Sequence, residues 1–344
     1  MKKALSILTA ACMALSLAAC SGGTDSTSQA ADTSSEASAS TSTAEGSASG
    51  TYTIGICQQQ PHEALDSATQ GFKDALVEAF GEDGVTFDEQ NAQGDANTCS
   101  TIINGFVSSS YDLIMANGTN ALQAAAAGTS EIPILGTSVT EYGVALGIDG
   151  FDGTVGGNVS GTSDLAPLDQ QATMLSDLFP VEEYPNVGML YCSAEPNSEY
   201  QVEQVTKYLT ELGYTCTDYS FSDSNDLATI ATSAANECDV IYVPTDNTAA
   251  SNTEIINNIC LPAGVPIIAG EEGICGGCGV ATLSISYYDL GYATGEMAAK
   301  ILKGEADIST MPIEYAPNFT KKYNPTNCEE LGVTVPDDYV AIEG

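Results

Sequence analysis
Beyond residue 50 the chain alternates short runs of consecutive apolar residues with longer stretches in which apolar residues recur every three or four positions. The short runs predict strands over 52–57, 85–91, 112–116 and 132–136, and again over 187–192, 214–221, 240–243 and 266–269. Helix-like spacing predicts helices over 64–80, 98–107 and 120–127, and then over 198–212, 227–236 and 253–260. Apolar strands separated by helices build a parallel sheet covered on both faces.

The order of elements repeats. Leu113-Ile114-Met115-Ala116 runs into the polar turn Asn117-Gly118-Thr119-Asn120, and Val240-Ile241-Tyr242-Val243 runs into Pro244-Thr245-Asp246-Asn247. Ile132-Pro133-Ile134-Leu135-Gly136 has a counterpart in Val265-Pro266-Ile267-Ile268-Ala269, and Ile54-Gly55-Ile56-Cys57 in Val187-Gly188-Met189-Leu190. Two like halves imply two α/β lobes, each a doubly wound parallel sheet. A strand-like run over 281–286, a helix over 287–302, an extended piece over 312–316 and a short helix near 327–331 follow the second half. Extra elements after both halves imply that the chain crosses back between lobes through a multi-stranded hinge. In such sheets, ligands bind beyond the carboxyl ends of the strands, so the strand-end loops of both lobes face one cleft.

Composition narrows what that cleft can do. The chain carries 46 Asp and Glu against 8 basic residues, all lysine, for a formal net charge of −38. It cannot neutralise phosphates, which excludes nucleic acid as a partner. Without arginine, no guanidinium fork can grip a carboxylate. His62 is the only histidine, no nucleophile motif surrounds it, and no phosphate loop appears, so enzymatic catalysis is not expected. No metal or cofactor is expected either. Of the 11 cysteines, Cys275 and Cys278 stand out as a C-x-x-C pair in what reads as a Gly-rich turn, expected to hold a loop disulfide or free thiols rather than a redox centre.

The first fifty residues differ in kind. Lys2 and Lys3 precede an apolar run too short to span a bilayer, which reads as a secretory signal peptide over 1–19. Leu17-Ala18-Ala19-Cys20 resembles the bacterial lipobox, whose cysteine is acylated. Residues 20–50, almost entirely Ser, Thr, Ala, Gly and acids, then form a lipidated, disordered tether. The expected partition is a first lobe of 51–163 plus about 284–310 and a second of 164–283 plus about 311–344.

Several stretches together resemble a known family. They are Pro61-His62-Glu63-Ala64-Leu65-Asp66, Gly157-Asn158-Val159-Ser160-Gly161-Thr162-Ser163-Asp164, Glu195-Pro196-Asn197-Ser198, Tyr242 to Thr248, and Tyr287-Tyr288-Asp289-Leu290-Gly291 with Gly295-Glu296-Met297-Ala298. The chain from about Tyr52 onward resembles the ABC-transporter substrate-binding proteins of the tryptophan/tyrosine type, with the type I periplasmic-binding-protein fold. That resemblance implies a lipid-anchored, monomeric receptor on the extracytoplasmic face of the membrane. It would close two lobes over a small solute, commonly Trp, Tyr or Phe, and deliver it to ABC permease and ATPase subunits. A nucleoside, a sugar or another amino acid as solute, or a role as a sensor receptor, are the alternatives.

For an amino-acid ligand, Asn117, Thr119 and Asn120 after the third strand and Thr137 with Ser138 after the fourth are the candidates to hold the carboxylate. In the second lobe, Asp246 and Glu271 or Glu272 are the candidates to pair with the ammonium. Asn197, Ser198, Thr245 and Asn247 are placed to cap helices while turning donors toward the ligand. His62 either lines the cleft or opens its helix toward water.

Overall fold
The structure is a computed structural model that describes residues 51–343; the signal-peptide, Cys20 and tether readings lie outside the described residues. The first series runs β1 (Tyr52–Gln58), α1 (Glu63–Phe80), β2 (Val85–Asn91), α2 (Ala96–Ser108), β3 (Leu113–Asn117), α3 (Thr119–Gly128), β4 (Ile134–Val139), α4 (Tyr142–Leu146) and β5 (Val159–Ser163). After α5 (Leu168–Leu178) come β6 (Asn186–Cys192), α6 (Pro196–Glu211), β7 (Thr215–Phe221), α7 (Ser224–Glu237), β8 (Val240–Val243), α8 (Asn247–Ala250), α9 (Thr253–Ala263), β9 (Ile267–Ala269), α10 (Glu272–Cys278) and β10 (Ala281–Ser284). The chain closes with α11 (Tyr287–Leu302), β11 (Glu314–Tyr315), β12 (Thr320–Tyr323), α12 (Pro325–Leu331) and β13 (Val340–Ala341).

Two sheets result, with strand orders β11-β5-β4-β3-β1-β2 and β13-β12-β10-β9-β8-β6-β7 among the described residues. The core of each has the same order: its first strand lies between its second and third, parallel to both. The apolar strands are covered on both faces, as their composition requires. Ile54, Ile56, Leu113 and Met115 pack with Phe72 and Leu76 of α1 on one face. Ile114 and Ala116 pack with Ile103, Phe106 and Leu122 of α2 and α3 on the other. The expected α/β architecture of two doubly wound lobes is thus the observed one.

The chain passes between the sheets at 164–167, at 285–286 and at 316–319. The last crossing lies later than the expected boundary near 311, because β11 pairs in parallel with β5, Glu314 opposite Thr162, before the chain leaves the first sheet. After the second crossing α11 docks on α1 with backbones in contact: a Cβ on Gly291 would lie 1.9 Å from the Ala68 carbonyl oxygen, and one on Gly71 2.1 Å from that of Tyr288. Only glycine permits that approach.

Two local expectations change. Residues 272–278 form a helix rather than a turn, because Glu271 caps it through its side chain, accepting from Gly273 and Ile274 N–H groups at 2.7 and 2.5 Å. Its Cys275 and Cys278 are buried free thiols, and burial pushes both up. Strand β5, Val-Ser-Gly-Thr-Ser, has little apolar character yet is wholly buried. Its hydroxyls are satisfied internally: Thr162 Oγ1 lies 3.1 Å from Thr137 Oγ1 and 2.8 Å from Thr294 Oγ1, which donates to the Leu290 carbonyl.

Candidate functional site
Strand β1 ends at Gln58, and Gln59 and Gln60 follow it; all three are buried. These amides brace neighbouring elements. Gln58 donates to Asp66 at 2.7 Å and accepts from Thr69, both on α1. Gln59 Oε1 accepts from the Asn120 backbone N–H at 2.8 Å, capping α3, whose own N-cap is Gly118. His62 follows as the N-cap of α1 but makes no capping bond. Its half-buried ring reaches the second lobe instead, where Nε2 donates to Asn247 Oδ1 at 3.1 Å. Burial pushes the His62 pKa down, against the opposing pull of Asn247, Glu195 and Asp66.

At the end of β4 the register against β5 shifts between Gly136 and Val139, and Ser138 takes a left-handed φ of 53°. Such a conformation is costly for a residue with a Cβ and clusters at binding sites.

The second lobe supplies three acids. Glu195 accepts from the backbone N–H groups and side chains of Asn247 and Thr248, at 2.6 to 3.1 Å. Asp246 caps α8 through the Ala249 N–H at 2.8 Å and ties in the Cys192 N–H at 2.7 Å. Glu271 caps α10. Burial raises Asp246, with Glu195 adding to the shift, and pushes Glu271 up to about 7.

These loops converge on a small cavity of about 10 Å³, room for roughly one water molecule. His62, Ser138, Asn197, Thr245, Asp246, Asn247 and Glu271 line it, as do Leu65, Thr140, Asp164, Ala250 and Tyr287. The other sequence candidates sit elsewhere. Asn117 braces α1, donating to the Leu65 carbonyl and Thr69 Oγ1 at 2.8 and 3.0 Å. Thr119 is buried in the first turn of α3, and Asn120 lines a separate recess of about 210 Å³ with Gln59 and Glu195. Thr137 belongs to the hydroxyl chain in the first lobe. Ser198 accepts from Asn197 Nδ2 at 3.3 Å and faces Asp246.

Asp164 was not among the candidates, although it ends one of the stretches that carry the resemblance. It lies in the first connection between the sheets, 4 % exposed, and its Oδ2 accepts from the Tyr287 hydroxyl at 3.0 Å. Burial raises its pKa. Three buried side-chain atoms without a partner among the described residues line this one cavity: Ser138 Oγ, Asp164 Oδ1 and Asn197 Oδ1. Buried polar groups are ordinarily paired, so three in one small space mark a site shaped for something with polar groups of its own.

The family model described as ABC transporter substrate binding protein matches residues 53–342. The chain belongs to this family. Its members bind solutes for ABC importers. This substrate-binding protein is 36% identical over 262 residues to the tyrosine-binding protein of Clostridioides difficile strain R20291, covering 76% of this chain and 75% of that one. Among solved structures it is similar to an ABC domain from Streptococcus pneumoniae in complex with L-Trp, at 30% identity and a TM-score of 0.79, covering 83% of this chain and 96% of the other. It is also similar to a ligand-free, open substrate-binding protein with adhesive properties from Clostridium difficile, at 35% identity and a TM-score of 0.65, covering 85% and 99%. The small cavity and the His62 to Asn247 contact agree with lobes drawn together.

Proposed function
We propose that this substrate-binding protein captures an aromatic amino acid in the cleft between its lobes and presents it to a permease. The observation that carries the reading is the clustering of Ser138 Oγ, Asp164 Oδ1 and Asn197 Oδ1, buried and unpaired among the described residues, beside Tyr287 and Leu65 in one interlobe cavity. A hydroxyl and two acceptors beside apolar surface complement a small zwitterion with a ring. The names of the tyrosine-binding relative and of the tryptophan complex support the same class. In this chain without arginine, the Ser138 hydroxyl and the Thr140 loop take the ligand carboxylate. Seating such a ligand requires the lobes to part, and a ligand that bridges them shifts the population back to the closed form.

The protein works outside the cytoplasm as a monomer, held by acyl chains on Cys20 to the same membrane as the permease that its ATPase drives. Thermal unfolding against amino acids, sugars and nucleosides tests the ligand class. A rise in midpoint with L-tyrosine, L-tryptophan or L-phenylalanine supports the reading, and a rise only with sugars or nucleosides overturns it.

A further inference from the structure
The cavity contains three carboxylates among the described residues, and they are not equivalent. Each oxygen of Asp246 accepts from a backbone N–H, and so does each oxygen of Glu271. Both acids are committed to helix N-termini. Asp164 differs, since Oδ2 accepts from Tyr287 and the Thr140 hydroxyl acts on the carboxylate from close by, while the buried Oδ1 has no well-formed hydrogen bond among the described residues. Among the described residues no lysine lines the cavity, and Lys322 is paired with Glu272 at 2.5 Å. A desolvated carboxylate with a bare oxygen calls for a cation.

Asn197 faces the same cavity from the first turn of α6. Its amide orientation is set by Nδ2, which donates to the Thr245 carbonyl at 3.1 Å, so that Oδ1, 4 % exposed with its residue, is the atom left over. Two bare acceptors on different parts of the molecule therefore meet in one space. A primary ammonium, with three N–H donors and a positive charge, satisfies both.

Resting on the amino-acid reading above, we propose that Asp164 Oδ1 and Asn197 Oδ1 together seat the ammonium of the ligand, so that the charge of the solute is gripped at the connection between the lobes. The placement couples recognition to closure. Asp164 stands in the first crossing and Tyr287 opens α11 directly after the second, so their hydrogen bond ties two crossings together. An ammonium that joins Asp164 to Asn197 draws α6 of the second lobe onto that tie.

The test compares L-tyrosine with 3-(4-hydroxyphenyl)propionate, the same molecule without its ammonium, by calorimetric titration of wild type and Asp164→Asn, a change that keeps the shape and an acceptor for Tyr287. The variant is expected to lose about 100-fold in affinity for L-tyrosine, as for a buried charge deprived of its partner, and to bind the propionate no more weakly than wild type does. Equal losses for both compounds, or no loss for L-tyrosine, overturn the proposal. Asn197→Ala gives a second reading if Asp164→Asn does not fold: a loss of about 10-fold confined to L-tyrosine supports the seat, and an unchanged ratio between the two compounds contradicts it. If the wild type ignores aromatic amino acids but binds another amino acid, the aromatic reading fails while the same comparison with that acid and its deaminated analogue still decides the seat. If the wild type binds no primary amine, both fail.

Discussion

His62 Nε2 lies 3.1 Å from Asn247 Oδ1, and this contact joins the loop that opens α1 in the first lobe to the loop that opens α8 in the second. Ser251 Oγ, donating to the Pro61 carbonyl at 3.2 Å, reinforces it at the rim. His62→Ala removes the contact without removing a helix cap, because His62 makes no capping bond. Ligand affinity is expected to fall about 5-fold to 10-fold, mostly through faster release, with little change in the unfolding midpoint. Stopped-flow dissociation and thermal unfolding check the two halves of that expectation.

Ser138 holds a strained backbone conformation at the edge of the cavity. Its φ of 53° is a glycine conformation, and its buried hydroxyl has no partner among the described residues. Ser138→Gly is expected to stabilise the ligand-free protein by about 1 kcal/mol while weakening the amino acid about 10-fold. Denaturant unfolding and titration calorimetry read these separately, and lower stability with unchanged binding would count against the role given to this hydroxyl.

Mild acid is expected to stabilise the fold. Glu271 is raised from 4.5 to about 7, and Asp164 and Asp246 are raised as well, all chiefly by burial. A carboxyl raised in the folded state contributes stability that is full below its ordinary value and lost as pH rises through the folded value. For Glu271 that window runs from 4.5 to about 7. His62 acts in the opposite sense, since its lowered pKa gives stability above 6.5 that is lost as pH falls. Three acids outweigh one imidazole, so the unfolding midpoint should drop between about pH 5 and about pH 8, and Glu271→Gln should flatten the slope. A midpoint that rises across this range contradicts the assignment.

At Gly291 the contact between α1 and α11 admits no side chain. Gly291→Ala places a Cβ 1.9 Å from the Ala68 carbonyl oxygen, which backbone must move to relieve. A loss of about 2–3 kcal/mol in urea unfolding is expected, or failure to accumulate as folded protein.

Much of this architecture was legible in the apolar runs, since strands such as Leu113 to Asn117 are buried at every position and leave an unbroken signal. β5 was not, because Ser160, Thr162 and Ser163 are buried through hydroxyl hydrogen bonds that apolar periodicity does not register. α10 was hidden by its glycines, and only the capping side chain of Glu271 shows why the helix starts. At the site, position after a strand was enough to nominate His62, Ser138, Asn197 and Thr245, which meet in one cavity. It did not distinguish Thr119, buried in the first turn of α3 and outside the cavity lining, or Asn117, whose side chain braces α1 of its own lobe. Asp164 escaped because its character depends on a partner, Tyr287, 123 residues away and on burial between crossings.

On this reading, two lobes close on one aromatic amino acid. Calorimetric titration of the purified protein with L-tyrosine and L-tryptophan tests it most directly, with D-glucose and adenosine as controls. One saturable site per chain for at least one of the two amino acids, with silent controls, is the predicted result. Saturable binding of a control, with no heat from either amino acid, would contradict it.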